Sequence, residues 1–196
     1  MKTPPRRTLL VCVDMQPAFL RVMADGARVR RRCAFAVSAA RGLGLPVLFT
    51  EQVPEKLGGT APGLLALAPG ATVLGKRTFS ALADELIRRS LIRHLLPGKA
   101  VPGRPPDRRG HLLLCGVETP VCVYQTAVAA IAEGFEVTVL SDAVGARRPD
   151  DARVCLDALV RSGAHVLPTE TVFYALLHDA GHPFFKAYTE LVKSQA

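Results

Sequence analysis

The sequence has no tryptophan, and aromatic residues make up only 6% of its 196 positions. It also lacks any stretch of about 18 apolar residues free of charge, so no membrane span is predicted. The five cysteines are an odd number, and Cys12 and Cys115 lie inside apolar runs, which is typical of a reducing compartment and not of a disulfide scaffold. Apolar residues, in contrast, reach 49%. This content excludes disorder as the main state and predicts a single domain over residues 1–196.

Acidic residues are scarce relative to basic ones: 17 Asp and Glu stand against 25 Lys and Arg, for a net charge of +8. Arg28, Arg30, Arg31 and Arg32 crowd one stretch. Clustered arginines bind phosphates through a salt-dependent electrostatic attraction, so a nucleic-acid partner is one alternative. No aromatic residues alternate with these arginines, as stacking of single-stranded RNA would require. The pattern therefore favours a solvated, arginine-rich surface.

Short apolar runs alternate along the chain with longer amphipathic segments, which predicts strands that alternate with helices. Because the runs are almost continuously apolar, they are typical of a parallel sheet that is covered on both faces. We expect a doubly wound α/β domain with a six-stranded, mostly parallel sheet. The predicted strands are Thr8–Val13, Pro46–Thr50, Ala71–Leu74, His111–Cys115, Glu136–Leu140 and His165–Leu167. The predicted helices are Arg28–Leu43, Ser80–Leu96, Pro120–Glu133, Asp150–Gly163 and the tail beyond Thr169, and Pro97–Gly110 is predicted to be a surface loop.

Three reactive side chains follow predicted strands. In doubly wound sheets, ligands bind beyond the carboxyl ends of the strands. Asp14 follows the first strand, Lys76 follows the third, and Cys122 begins the helix after the fourth. We expect Lys76 and the helix N-terminus to favour the Cys122 thiolate, with Asp14 taking and returning its proton. An isolated cysteine would instead be interpreted as a small buried hydrophobe.

The segments Val11–Phe19, Gly75–Ser80 and Leu114–Ala127 resemble the three signature segments of the isochorismatase-like, or cysteine hydrolase, superfamily. Within it, Thr50–Thr60 is most similar to the isochorismatase domain-containing proteins, some of which are labelled mitochondrial-associated ribonucleases.

The resemblance implies a catalytic triad of Asp14, Lys76 and Cys122, with Cys122 as the nucleophile. It also implies a cis peptide bond between Val117 and Glu118, which would aim backbone N–H groups at the substrate oxygen. Val117, Glu118 and Cys122 would then form an oxyanion hole.

The sequence departs from the nicotinamidase branch, which holds a metal through Asp and His residues after the second strand. The corresponding stretch, Thr50–Leu57, has no histidine, so we predict no catalytic zinc and no cofactor. His178 and His182 are four residues apart, but Gly181 and Pro183 favour a chain turn over a metal pair. The remaining cysteines are interpreted as structural: Cys12, Cys33, Cys115 and Cys155.

The predicted function is that of a metal-independent cysteine hydrolase acting on a small amide or a related C–N or ester bond. Thr50, Gln52 and Phe79 are expected to line the substrate pocket, with ordinary loop packing as an equal alternative. An RNA-binding or ribonuclease-type protein on the same fold is the main alternative, and a scaffold with a vestigial site is another. RNA cleavage would need an acid and a base placed beside the 2′-OH, or a metal held by carboxylates. The sequence around Asp14 indicates neither arrangement.

Assembly and location are also predicted from sequence. The segment Thr171–Leu191 holds five of the eleven aromatic residues, and the adjacent Phe184 and Phe185 would point about 100° apart on a helix. We therefore expect a homo-oligomer whose interface includes C-terminal helical faces, and the resemblance to the isochorismatase-like superfamily implies a dimer or a tetramer. The segment Met1–Arg7 is short and contains two prolines, which favours a cytoplasmic protein over a mitochondrial one.

Overall fold

A computed structural model of the chain describes residues 7–95 and 110–195. Six strands form one sheet in the order β3-β2-β1-β4-β5-β6, and each of its neighbouring pairs is parallel. The order reverses between β1 and β4, and in doubly wound sheets the crevice that binds ligands opens at this point. The strands are β1 (Thr8–Val13), β2 (Val47–Gln52), β3 (Thr72–Lys76), β4 (His111–Val117), β5 (Glu136–Gly145) and β6 (His165–Leu167).

Helices cover both faces of the sheet. The described helices are α1 (Pro17–Leu20), α2 (Gly26–Gly42), α3 (Pro54–Leu57), α4 (Pro62–Leu65), α5 (Glu85–Leu95), α6 (Tyr124–Ala132), α7 (Pro149–Arg161), α8 (Thr169–Leu177) and α9 (Phe185–Lys193). A 3-10 turn spans Ala81–Ala83 and a π-helical turn spans Thr119–Val123. One buried apolar cluster packs α2, α4, α8 and α9 against the sheet, and a second packs α5, α6 and α7 against the opposite face. None of the described helices is long and apolar enough to cross a membrane.

The doubly wound α/β prediction is confirmed, and β1 and β6 have their predicted bounds. Other boundaries differ. β2 runs on to Gln52, which pairs in register with Lys76 at the end of β3. The predicted helix from Ser80 instead begins at Glu85, because the Asp84 carboxylate accepts a hydrogen bond from the N–H of Leu86 at 3.0 Å and so caps the start of α5. The loop predicted over Pro97–Gly110 lies outside the described residues, Gly110 excepted.

The C-terminal aromatic residues pack against the chain's own core. Tyr188 is fully buried, and its ring stacks on Phe35 with 5.8 Å between centroids. Phe184 and Phe185 are half-buried against the same cluster. The expectation that the two rings point about 100° apart on one helix was wrong, because Phe184 precedes α9 and is not part of the helix. The homo-oligomer remains a prediction without this argument.

Candidate active site

Asp14 is held at the carboxyl end of β1 by its neighbour in β2. Its backbone turns into the left-handed region, with φ of +50°, which aspartate tolerates better than most residues. Its N–H donates to the carbonyl oxygen of Thr50 at 3.0 Å, and the Thr50 hydroxyl donates to Asp14 Oδ1 at 2.7 Å. The Asp14 carboxylate is therefore buried in one fixed orientation, with Oδ2 left for another partner.

Lys76 supplies that partner from the end of β3. Its Nζ donates to Asp14 Oδ2 at 2.7 Å, to Gln52 Oε1 at 2.6 Å and to the Thr78 carbonyl oxygen at 3.2 Å. The two charged side chains are 0% and 1% exposed. An ammonium has three donors, so these oxygens satisfy a cation that would otherwise be costly to bury.

Cys122 follows β4 in the chain and lies beside Lys76. It lies in the π-helical turn, where the N–H groups of Val121 and Val123 both donate to the Glu118 carbonyl oxygen, at 3.1 and 3.2 Å. The Cys122 sulfur lies 3.6 Å from Lys76 Nζ and is nearly covered, since the residue is 6% exposed. The structure thus brings together Asp14, Lys76 and Cys122, which are separated by up to 108 positions in the sequence (122 − 14).

The electrostatics of the thiol differ from the sequence-based expectation. Burial raises the pKa of Cys122 to about 12, and the negative charge of Asp14 adds to this rise, while Lys76 opposes it. Lys76 does act to lower the pKa of Cys122, as expected, but desolvation by burial outweighs it at this depth, so the expected net stabilisation of the thiolate is not found. The resting thiol therefore keeps its proton at neutral pH.

The backbone beside Cys122 is shaped by Gly116 and by a cis bond. Gly116 has φ of +113°, and a Cβ there would lie 2.1 Å from the Val13 carbonyl oxygen, so only glycine fits where β4 passes β1. The Val117–Glu118 peptide bond is cis. The Glu118 carboxylate pairs with Arg147 at 2.8 Å. The role of Val117, Glu118 and Cys122 as an oxyanion hole stays a prediction.

The three residues expected to line the pocket lie in different surroundings. Thr50 and Gln52 are buried and hydrogen-bonded to Asp14 and Lys76, so their observed contacts orient these two side chains. Phe79 follows β3 with its side chain exposed. Contact of any of the three with substrate stays a prediction.

Gln16 is a residue whose part in the site the sequence reasoning missed. Its Oε1 accepts from the N–H of Gln52 at 2.7 Å, and its Nε2 donates to the Gln52 carbonyl oxygen at 3.0 Å. This reciprocal pair fixes the end of β2 next to Lys76. Its position two residues after Asp14 was visible in the sequence, but the partner was not.

A cavity of about 320 Å³ lies beside the cis bond, since Glu118 is part of its wall. Its walls include the charged residues Glu118, Arg147, Arg148 and Asp151. A cavity of about 330 Å³ lies against α7, and neither of these two is lined by the triad. His178 and His182 do not share a helix, because α8 ends at Leu177 and the Nδ1 of His182 accepts from the Phe184 N–H. The predicted chain turn is confirmed.

The sequence profile of the isochorismatase domain matches residues 8–171, which include all six strands and the three reactive side chains. The chain belongs to the isochorismatase family. A secreted isochorismatase effector, Isc1 of Phytophthora sojae, is 33% identical over 192 residues, covering 96% of this chain and 86% of the relative. Membership makes the chain an isochorismatase-like hydrolase.

Solved structures show the same isochorismatase-like fold. The MAR1 ribonuclease of Caenorhabditis elegans superposes with a TM-score of 0.84 at 25% identity, covering 98% of this chain and 93% of the other. The YcaC gene product of Escherichia coli, described as an octameric hydrolase of unknown specificity, superposes with a TM-score of 0.77 at 22% identity, covering 99% and 97% of the two chains. At this identity the second likeness supports the fold alone.

Proposed function

We propose that this isochorismatase-family protein is a metal-independent cysteine hydrolase that acts on a small amide or a related C–N or ester bond. The observation that supports this most strongly is the position of Lys76 Nζ, 2.7 Å from Asp14 Oδ2 and 3.6 Å from Cys122 Sγ. A nucleophile, a base and a cation in contact are the elements that covalent acyl transfer needs.

The acylation step begins with a neutral thiol. Asp14 takes the proton of Cys122 as the sulfur attacks the substrate carbonyl carbon, and the carbonyl electron pair moves onto the oxygen. Backbone N–H groups near the cis bond, together with Lys76, stabilise the resulting negative charge. Asp14 then gives the proton to the leaving amine, the C–N bond breaks and a thioester remains on Cys122.

Deacylation uses the same groups in the reverse order. Asp14, again a carboxylate, removes a proton from water as the water attacks the thioester carbon. The tetrahedral intermediate collapses, the C–S bond breaks and the proton returns to the departing sulfur. The carboxylic acid is released, and the resting Asp14–Lys76 pair with its neutral thiol is restored.

A covalent trap tests the nucleophile. The purified protein is incubated with acrylamide at neutral pH, and each cysteine is followed by peptide mass spectrometry. We expect one modified residue, Cys122, and no fast modification in Cys122→Ala. Cys155→Ser is the matched control, since Cys155 is the other cysteine that is not fully covered, and it should leave the labelling unchanged. Slow and uniform labelling of all five cysteines would contradict an activated nucleophile.

A panel of small amides and esters tests turnover. Hydrolysis of a panel member by the wild type, with loss in Cys122→Ala and in Asp14→Asn, is expected. Hydrolysis that survives in Cys122→Ala would move the reaction away from the triad.

RNA binding or cleavage is the alternative, and the similarity to the MAR1 ribonuclease is the observation in its favour. The pairing of several arginines with carboxylates weighs against it, because those carboxylates compete with phosphate for the same side chains. Such pairs are Arg28–Asp25, Arg32–Asp142, Arg88–Glu133, Arg147–Glu118 and Arg148–Asp151. RNA binding that survives about 0.5 M salt, where phosphate contacts alone fail, would reverse this ranking. RNA cleavage that is lost in Cys122→Ala would do the same.

A further inference from the structure

Three cysteines outside the triad converge in the core below it. Cys12 on β1 and Cys115 on β4 are register partners in neighbouring strands, and Cys33 on α2 packs over them. Their sulfur atoms all lie within 4.8 Å of one another, and all three residues are 0% exposed. We call these residues the cysteine cluster. The proposed hydrolase mechanism uses none of them.

The spacing of the sulfurs suits one thiophilic ion. With bonds to sulfur of about 2.3 Å, three sulfurs around one central atom stand about 3.5–4 Å apart, the shorter spacing applying to a pyramidal centre such as trivalent arsenic. Small side-chain rotations would bring sulfurs that lie within 4.8 Å of one another to this distance. A further soft donor is adjacent, because Met15 Sδ lies 3.8 Å from Cys33 Sγ. The Cys33 thiol would give up its hydrogen bond to the Ala143 carbonyl oxygen.

The charge of the surroundings selects among thiophilic ions. The cluster belongs to a buried apolar core, and burial raises the pKa of Cys33 well above its usual value. The carboxylates of Asp14 and Asp142 act electrostatically on Cys12 and Cys115. Three thiolates around a monovalent or divalent ion leave a net negative complex, which such an environment disfavours. Three thiolates around a trivalent ion leave a neutral one.

We propose that Cys12, Cys33 and Cys115 form a binding site for trivalent arsenic, taken up as arsenous acid. Three S–H bonds and three As–O bonds break, while three As–S bonds form and three water molecules leave. No atom changes oxidation state, and no net charge enters the core. Arsenous acid is small and uncharged at neutral pH, so it reaches the covered sulfurs through local opening of α2 from the sheet.

The experiment uses the Cys122→Ala/Cys155→Ser background, in which the cysteine cluster holds the remaining three thiols. The reduced protein is incubated without oxygen with arsenous acid, and native mass spectrometry reads the stoichiometry. We expect one arsenic atom per chain with loss of three hydrogens, and X-ray absorption that reports three sulfur neighbours. Uptake should accelerate in sub-denaturing urea, because opening limits it.

Removing one thiol distinguishes a specific three-cysteine site from non-specific binding of arsenic to individual thiols. Cys33→Ala in the same background should lose the three-sulfur complex, and its affinity for arsenous acid should fall by more than the about 10–100-fold typical of losing an outer partner. If circular dichroism shows that Cys33→Ala does not fold, Cys115→Ala is measured in its place and is expected to show the same losses. Arsenic that is not retained, that has only two sulfur neighbours, or that is displaced by an equimolar amount of zinc would overturn the proposal. None of these outcomes depends on hydrolase activity.

Discussion

Replacing Lys76 with methionine tests the buried ion pair on which the candidate site rests. Methionine matches the length of the lysine stem but removes the ammonium, so Asp14 loses the donor 2.7 Å from its Oδ2. The Gln52 and Thr78 oxygens lose their donor as well, while the Thr50 hydroxyl still donates to Asp14 Oδ1.

The expected loss of stability is large because neither charge can reach water. The two side chains are 0% and 1% exposed, and removing one partner of such a pair costs about 3–5 kcal/mol of unfolding free energy. Single domains are stable by only about 5–15 kcal/mol, so the variant stays folded with a narrow margin. With a urea m-value of about 2 kcal/mol/M, the unfolding midpoint falls by about 1.5–2.5 M. The double variant Lys76→Met/Asp14→Asn removes both charges and should lose less than the sum of the single variants.

Urea unfolding followed by circular dichroism measures these differences without any need for a substrate. The matched control is Lys193→Met, because Lys193 pairs with Glu190 at a similar 2.9 Å but with both side chains about two-thirds exposed. Surface pairs of this kind often contribute nothing measurable, so its midpoint should not move. A midpoint for Lys76→Met as little changed as that of Lys193→Met would contradict a strongly stabilising, buried ion pair. So would losses of unfolding free energy in Lys76→Met and Asp14→Asn that add up to the loss in the double variant.

Three further predictions follow from the packing and charges. Because the Asp14 charge raises the pKa of Cys122, Asp14→Asn should lower that pKa while abolishing turnover. In a pH titration followed by thiolate absorbance, Asp14→Asn should show a titration step for Cys122 that the double variant Asp14→Asn/Cys122→Ala lacks. Gly42→Ala would place a Cβ 1.9 Å from the Phe184 ring and should cost about 1–3 kcal/mol, whereas Gly63→Ala, which meets nothing within 4 Å, should be neutral in the same thermal melt. Light scattering at low micromolar concentration should give a multiple of the 21.0 kDa chain mass, and a value near 21.0 kDa itself would contradict the homo-oligomer.

The sheet was predictable because strands that are buried on both faces have continuous apolar sequences. The interior residues of β1 need no partner information to be recognised. Strand ends were less predictable where polar residues continue the ladder. Gln52 extends β2 because Lys76 pairs beside it, and Asp142 lies inside β5 although it ends the apolar pattern. Such extensions depend on the neighbouring strand, which a local pattern does not contain.

The meeting of the three candidate side chains Asp14, Lys76 and Cys122 was predictable for a topological reason, since residues that follow parallel strands meet at one edge of the sheet. Their surroundings were not. Strand position does not report how deeply Cys122 is covered, and this depth decides the sign of its pKa shift. The meeting of Cys12 with Cys33 and Cys115 was equally hidden, because it needs α2 to fold back over β1 and β4 to pair with β1 from a distant part of the sequence.

The raised pKa of Cys122 and its proposed role as nucleophile are compatible once the destination of the proton is specified. A pKa of about 12 describes loss of the proton to bulk water, which leaves a net negative charge among covered groups. In the proposed reaction, the proton passes to Asp14 instead, so the site begins and ends with the same net charge. Burial strongly opposes loss of the proton to bulk water. It opposes transfer of the proton to Asp14 far less, because the ammonium of Lys76 remains 3.6 Å from the new thiolate. The same burial therefore keeps the resting thiol unreactive toward solvent and leaves its attack dependent on a neighbouring base.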